Sequence, residues 1–275
     1  MIISLPSGRE SFFRRTFLLH VLDPNPNRKP AVLLLHGLGA DGASWTLQLP
    51  PLIEAGFRPL VPDVPGFGES TYDGRGWNIR RVAAGMAALL EERAAHPADV
   101  VGLSMGGTIA QQLALDFPRL VRRLVLVSTF AVLRPESFGG WLYFLRRLVL
   151  VSTLGLPAQA RFVAGRIFPG PQNQPLRELL VASIARADPR AYRAAMRSLG
   201  LFNSLRRLSR IQAPTLVVTG DRDTTVSPQR QKLLAERIPG ARQITIPGAG
   251  HAVAIDQPAS FNRALLSFLS QDRIT

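Results

Sequence analysis

The 275-residue chain contains no cysteine, which excludes disulfides and thiolate-held metal sites. It contains no uninterrupted apolar run of about 18 residues, the length a spanning helix needs, so no such helix is expected. The first ten residues carry no apolar stretch of signal-peptide length. These absences together point to a cytoplasmic protein. Acids are scarce, with 19 Asp and Glu against 33 Lys and Arg, giving a net charge of +14. Lysine is nearly missing too, with Lys29 and Lys232 alone, so the positive charge is arginine. No helix-turn-helix, zinc-finger or RNA-binding signature accompanies that charge, and nucleic acid is not an expected partner. Histidine is limited to His20, His36, His96 and His251, so any histidine chemistry has four candidates.

Apolar residues make up 46% of the chain, enough to fill a large core. Residues 11–22 read as one or two opening strands and 24–30 as a turn. Ala31–Leu35 is a short, continuous apolar run, as expected of a strand buried on both faces, and 58–61, 99–103, 120–128, Thr215–Gly220 and Arg242–Ile246 read as further strands. Between them, 78–95, Met105–Asp116 and 260–269 have helical composition and spacing. This alternation predicts an α/β fold, a doubly wound, mostly parallel sheet. One interval breaks the rhythm. Residues 137–151, 176–187, 188–199 and 202–210 read as helices with no strand among them. Asp188 followed by Pro189 is an N-cap and first-turn pair. The expected organisation is a core of residues 1–129 and 212–275, with a helical cap of 130–211 inserted over the sheet.

Gly102-Leu103-Ser104-Met105-Gly106 matches G-x-S-x-G between an apolar strand and an apolar helix, the context that motif requires. A sharp strand-to-helix turn exposes the Ser104 hydroxyl and aims the helix's first amides where negative charge develops. Small flanking residues avoid collision with neighbouring backbone. A serine needs a base, and His251 follows the last strand in Gly248-Ala249-Gly250-His251, at the sheet's carboxyl edge beside Ser104. His20 and His96 read as structural and surface residues. The base needs an acid to fix its tautomer. Asp221 and Asp223 both follow a buried strand; Asp223, further into the loop, is favoured. The order Ser104, Asp223, His251 suits this arrangement.

These motifs, with His36-Gly37-Leu38-Gly39 and Asp63-Val64-Pro65-Gly66-Phe67-Gly68-Glu69-Ser70, resemble the α/β-hydrolase superfamily over nearly the whole chain. The likeness is to its capped serine-hydrolase branch of esterases, enol-lactonases, carbon–carbon hydrolases and cofactor-free haloperoxidases. It implies an oxyanion hole made by the backbone amides of Leu38 and Met105. It also implies that His36 shapes the oxyanion loop and that residues 63–70 are structural. Gly37, Phe130, Trp141 and Val226 are the candidate substrate contacts. Serine at the elbow argues against dehalogenase and epoxide-hydrolase chemistry, which use aspartate there. The extended glycine run of hormone-sensitive-lipase-like esterases and the Ser-Asn-rich oxyanion loop of many ring-cleavage-product hydrolases are absent.

The resemblance implies hydrolysis of carboxylic esters of small to medium acyl chains through an acyl-enzyme, without a metal or organic cofactor. Carbon–carbon hydrolysis, lactone opening and perhydrolysis at the same residues stand as alternatives, and a non-catalytic binding module as a remote one. Residues 130–212 hold thirteen arginines against Glu136, Glu178 and Asp188, so +10 of the +14 lies there. Three readings of that segment stay open: arginines facing water over an apolar inner face, a lid for lipid interfaces, or an arginine that grips a substrate carboxylate. Monomer and homodimer are both compatible with the sequence.

Overall fold

In a computed structural model the described residues are 2–3, 17–133 and 138–271. The strands are β1 (Ile2–Ile3), β2 (Phe17–Leu18), β3 (Val21–Leu22), β4 (Ala31–Leu35), β5 (Arg58–Pro62), β6 (Ala98–Leu103), β7 (Val121–Val127), β8 (Thr215–Gly220) and β9 (Arg242–Ile246). β1 and β2 form a small antiparallel pair. The main sheet runs β3-β5-β4-β6-β7-β8-β9, and only β3 is antiparallel to its neighbour. Part of the opening-strand segment, residues 11–16, lies outside the described residues.

Strand alternation divides the core into two layers. Val32, Leu34, Val101, Val125 and Val218 face Trp45, Phe57, Phe261 and Leu265. Leu33, Leu35, Val100, Leu124 and Val217 face Met86, Leu89, Ile109 and Leu113. The first layer is covered by the 3-10 helix Gly42–Gln48, Leu52 of α1 (Leu49–Glu54) and α10 (Pro258–Leu269), the second by α2 (Ile79–Glu92) and α3 (Met105–Asp116). Chain order reverses at β4, which pairs with both β5 and β6, and the crevice at the strands' carboxyl ends opens there.

Between β7 and β8 stand α4 (Phe138–Thr153), α5 (Gly155–Ile167), α6 (Gln174–Arg186) and α7 (Pro189–Leu201). They form the helical cap insertion and are tied to core loops. Asp188 N–H donates to Gly66 O at 2.8 Å, and Ser183 Oγ donates to Gly39 O at 2.8 Å. The remaining helices are α8 (Pro228–Arg237) and the short α9 (Val253–Asp256).

One expectation fails here. Residues 202–210 are not a helix; only a 3-10 turn at Leu208–Arg210 forms. Asn203 bridges Val132, and buried Ser204 takes Ala131 O through its N–H at 2.9 Å and Gln111 Oε1 through its hydroxyl at 2.8 Å. Those long-range bonds hold residues 202–204 out of helix, and 205–210 follow as turns and a 3-10 helix, against their helical composition. α5 lies in an interval to which the sequence reading assigned no element. Gly155, at φ 76°, starts the helix, and Pro157 sits in its first turn. Among the described residues no helix is long and apolar enough to cross a membrane.

Candidate active site

Ser104 lies between β6 and α3 with φ 53° and ψ −111°. For a residue with a Cβ this conformation costs about 1–3 kcal/mol and persists only where surroundings impose it. Here the Ser104 N–H donates to Val127 O at 2.9 Å, while Ser104 O accepts from Thr129 Oγ1 at 2.7 Å. The crossing is tight. A Cβ on Gly102 would lie 2.3 Å from Gly106 O, and one on Gly106 would lie 2.0 Å from Leu35 O. Glycine at both places is therefore a condition of the turn.

β8 delivers Asp223 and β9 delivers His251 to the same carboxyl edge. His251 Nδ1 lies 2.9 Å from Asp223 Oδ2 and 3.1 Å from Oδ1. Asp223 Oδ1 also accepts from the N–H groups of Thr225 at 2.8 Å and Val226 at 2.9 Å, and Oδ2 from Gln231 Nε2 at 3.0 Å. Burial alone would push this carboxyl up. His251 and the backbone donors outweigh it and hold Asp223 below the usual carboxylate range. An ionised Asp223 accepts the Nδ1 proton, so His251 presents its Nε2 lone pair. Asp221 is exposed and does not share this cluster. Asp256 Oδ2 accepts from Gly250 N–H at 2.8 Å and so ties down the turn that carries His251.

His36 is fully buried and both its nitrogens are committed: Nδ1 donates to Gly37 O at 2.9 Å, and Nε2 accepts from Val64 N–H at 2.9 Å. Burial lowers its pKa, with Gly37 O and Asp63 opposing. Gly37 O also accepts from Ala40 N–H at 3.2 Å. In a planar trans peptide the Leu38 N–H then points the opposite way. Met105 occupies the first position of α3, where an N–H has no acceptor within the helix. His20 and Asp63 form a cross-brace at 2.9 Å. Asp63 also accepts from Gly42 N–H at 2.7 Å and Glu69 N–H at 2.9 Å, so this loop is structural.

A cavity of about 830 Å³ is lined by Ser104, His251, Gly37, Leu38, Phe130 and Val226 among others. Asp223 stands behind His251 and off the wall, and the Met105 side chain is buried in the core. The Trp141 side chain lies outside the described residues. The sequence reading missed Gln231, Thr129 and Asp256 as supports. Gln231 sits one turn into α8, a helix that reading did not include. Arg147, Arg166, Arg186 and Arg230 line the cavity; among its described lining residues Asp41 is the only carboxylate. Arg166 Nη2 donates to Thr224 O, linking cap to core.

A seven-stranded, mostly parallel sheet with a helical cap, and a strained serine facing a histidine–aspartate pair at its carboxyl edge, defines the α/β-hydrolase class. The model of the alpha/beta hydrolase family matches residues 32–264, and the chain belongs to that family. RutD of Variovorax paradoxus, provisionally assigned as a carbamate hydrolase, is 32% identical over 92% of this chain and 96% of its own. The structure of a thermophilic esterase from Thermogutta terrifontis superposes with TM-score 0.84, at 27% identity, covering 98% of this chain and 97% of that one. BpoC of Mycobacterium tuberculosis, provisionally a non-heme bromoperoxidase, gives TM-score 0.77 at 27% identity, with 92% and 95% covered.

Proposed function

We propose that the protein is a serine hydrolase that transfers an acyl group from a small substrate to water. The observation that carries this is the His251 Nδ1–Asp223 bond at 2.9 Å, placed beside the strained Ser104 in one cavity. In this reading residues 130–211 cap a core of 1–129 and 212–275.

Ser104 Oγ attacks the acyl carbon as His251 Nε2 takes its proton. Asp223 stabilises the imidazolium without accepting that proton. The oxyanion forms against the Leu38 and Met105 N–H groups. His251 then protonates the leaving atom. A water, deprotonated by His251, attacks the acyl-enzyme and frees Ser104. Phe130 and Val226 supply apolar wall.

Simple carboxylic esters are one substrate class. Other chemistry at the same triad is the second reading: carbon–carbon cleavage, lactone opening or perhydrolysis. The assignments of the relatives, a carbamate hydrolase and a bromoperoxidase beside an esterase, favour this wider reading over ester cleavage alone. A panel of short nitrophenyl esters, lactones, vinylogous diketones and carbamates separates them. Ser104→Ala should abolish both turnover and fluorophosphonate labelling. Near-wild-type turnover in that variant rejects the mechanism.

A further inference from the structure

Helix α4 turns one face inward, where Arg147 lines the cavity and Val151 is 2% exposed. The other turns outward. Phe138 is 85% exposed, Leu142 56%, Leu145 56% and Val149 49%. Their spacing of four, three and four residues puts all four on one stripe of the helix. Leu154, just past the helix end, is 66% exposed. A helix apolar around most of its circumference is ordinarily covered on all sides. Contiguous apolar surface of this kind marks a contact site.

The charge of the cap segment selects the occupant of the stripe. The segment that contains α4 carries thirteen arginines and three acids, which is +10. Arg146, exposed, borders the stripe, its guanidinium 4.6 Å from the centre of the Phe162 ring. Two copies of this chain meeting through the stripe would bring two +10 segments together, which opposes such a dimer. An acidic bilayer surface satisfies both features. Its acyl boundary receives the apolar stripe, and its headgroups attract the arginines. With 16 residues α4 is too short to span a bilayer, which needs about 20, so the contact lies in the plane of the interface.

We propose that the outward face of α4 docks the protein on a bilayer surface carrying anionic headgroups. The test is sedimentation of the full chain with phosphatidylcholine vesicles, with and without phosphatidylglycerol. Binding is expected to the acidic vesicles only and to weaken in 0.5 M salt, where screening is about twice as short-ranged as at 0.1 M. Leu142→Ser with Leu145→Ser, which leaves the charge unchanged, should lower that binding about a hundredfold, from the ordinary transfer energy of two leucines. Leu201→Ser, on the equally exposed end of α7, should leave it unchanged. The chain lacks cysteine, so Val149→Cys takes a polarity-sensitive dye at one place, and its emission should shift to the blue on acidic vesicles. That measurement holds if the double variant does not fold. Equal binding to both vesicles, no binding, or a dye that does not respond would overturn the proposal. So would wild-type dimers that the double variant dissolves, because they would assign the stripe to a second copy.

Discussion

Replacing Asp223 by asparagine tests the heart of the mechanism. In the native site Oδ1 accepts from Thr225 N–H and Val226 N–H, while Oδ2 faces Gln231 Nε2 and His251 Nδ1. Every one of those partners is a donor. An asparagine has one acceptor oxygen, and two backbone donors claim it at Oδ1. Its amide NH₂ must then occupy the Oδ2 position, against Gln231 and His251. The imidazole responds by moving its proton to Nε2 and accepting at Nδ1. That tautomer has no lone pair for the Ser104 proton. A base held in the wrong tautomer costs about 10⁴-fold in rate, or about 5 kcal/mol of transition-state stabilisation. The assay is kcat/KM on an activated substrate, alongside the rate of fluorophosphonate labelling, for Asp223→Asn and Asp221→Asn. Labelling should slow with turnover, because both need the activated hydroxyl. Asp221→Asn should behave as wild type. A folded Asp223→Asn enzyme within about tenfold of wild type, or a comparable loss in Asp221→Asn, would refute the reasoning. Stability should respond as well. The folded pKa of Asp223 lies below its unfolded value, so its contribution is present above about pH 4 and fades as pH falls from there towards the folded pKa. Acid unfolding of Asp223→Asn should lack that component.

His36 offers a second pH signature. Burial depresses its pKa, so the unfolded chain binds the extra proton and wild-type stability should fall as pH drops below about 6.5. His36→Ala strands Val64 N–H, leaves Gly37 O with Ala40 N–H alone, and should cost about 1–3 kcal/mol at pH 8, with a shallower acid slope, both read from urea denaturation across pH. Gly106→Ala places a methyl 2.0 Å from Leu35 O and should lower the thermal midpoint or prevent folding, with a cost of about 3 kcal/mol or more. An alanine variant that melts with wild type would mean the elbow is looser than described.

The sequence was most informative where structure is set locally. Ala31–Leu35, Met105–Asp116 and Thr215–Gly220 stand where the residues placed them, because apolar strands and a glycine-opened helix carry their own signals. It was least informative where distant partners decide. Ser204 draws 202–210 out of helix by bonding to Ala131 and Gln111, and no neighbour in sequence announces this. Gln231 is equally silent. Its role depends on where α8 packs, as does the inward turn of Arg147 against the outward turn of Arg146.

Ser104 shows both halves. Its sequence context alone named it the candidate nucleophile, because only small residues allow a strand to turn so sharply into a helix. Sequence also named His251 and Asp223, since parallel strands must end on one edge. What tertiary structure decided is the environment. It put Asp223, and not exposed Asp221, in hydrogen-bond contact with His251, committed both nitrogens of His36 elsewhere, brought four arginines to the cavity wall and left one apolar face of α4 uncovered. Those outcomes follow from packing between segments far apart in the chain, where side-chain direction depends on neighbours that no local pattern encodes.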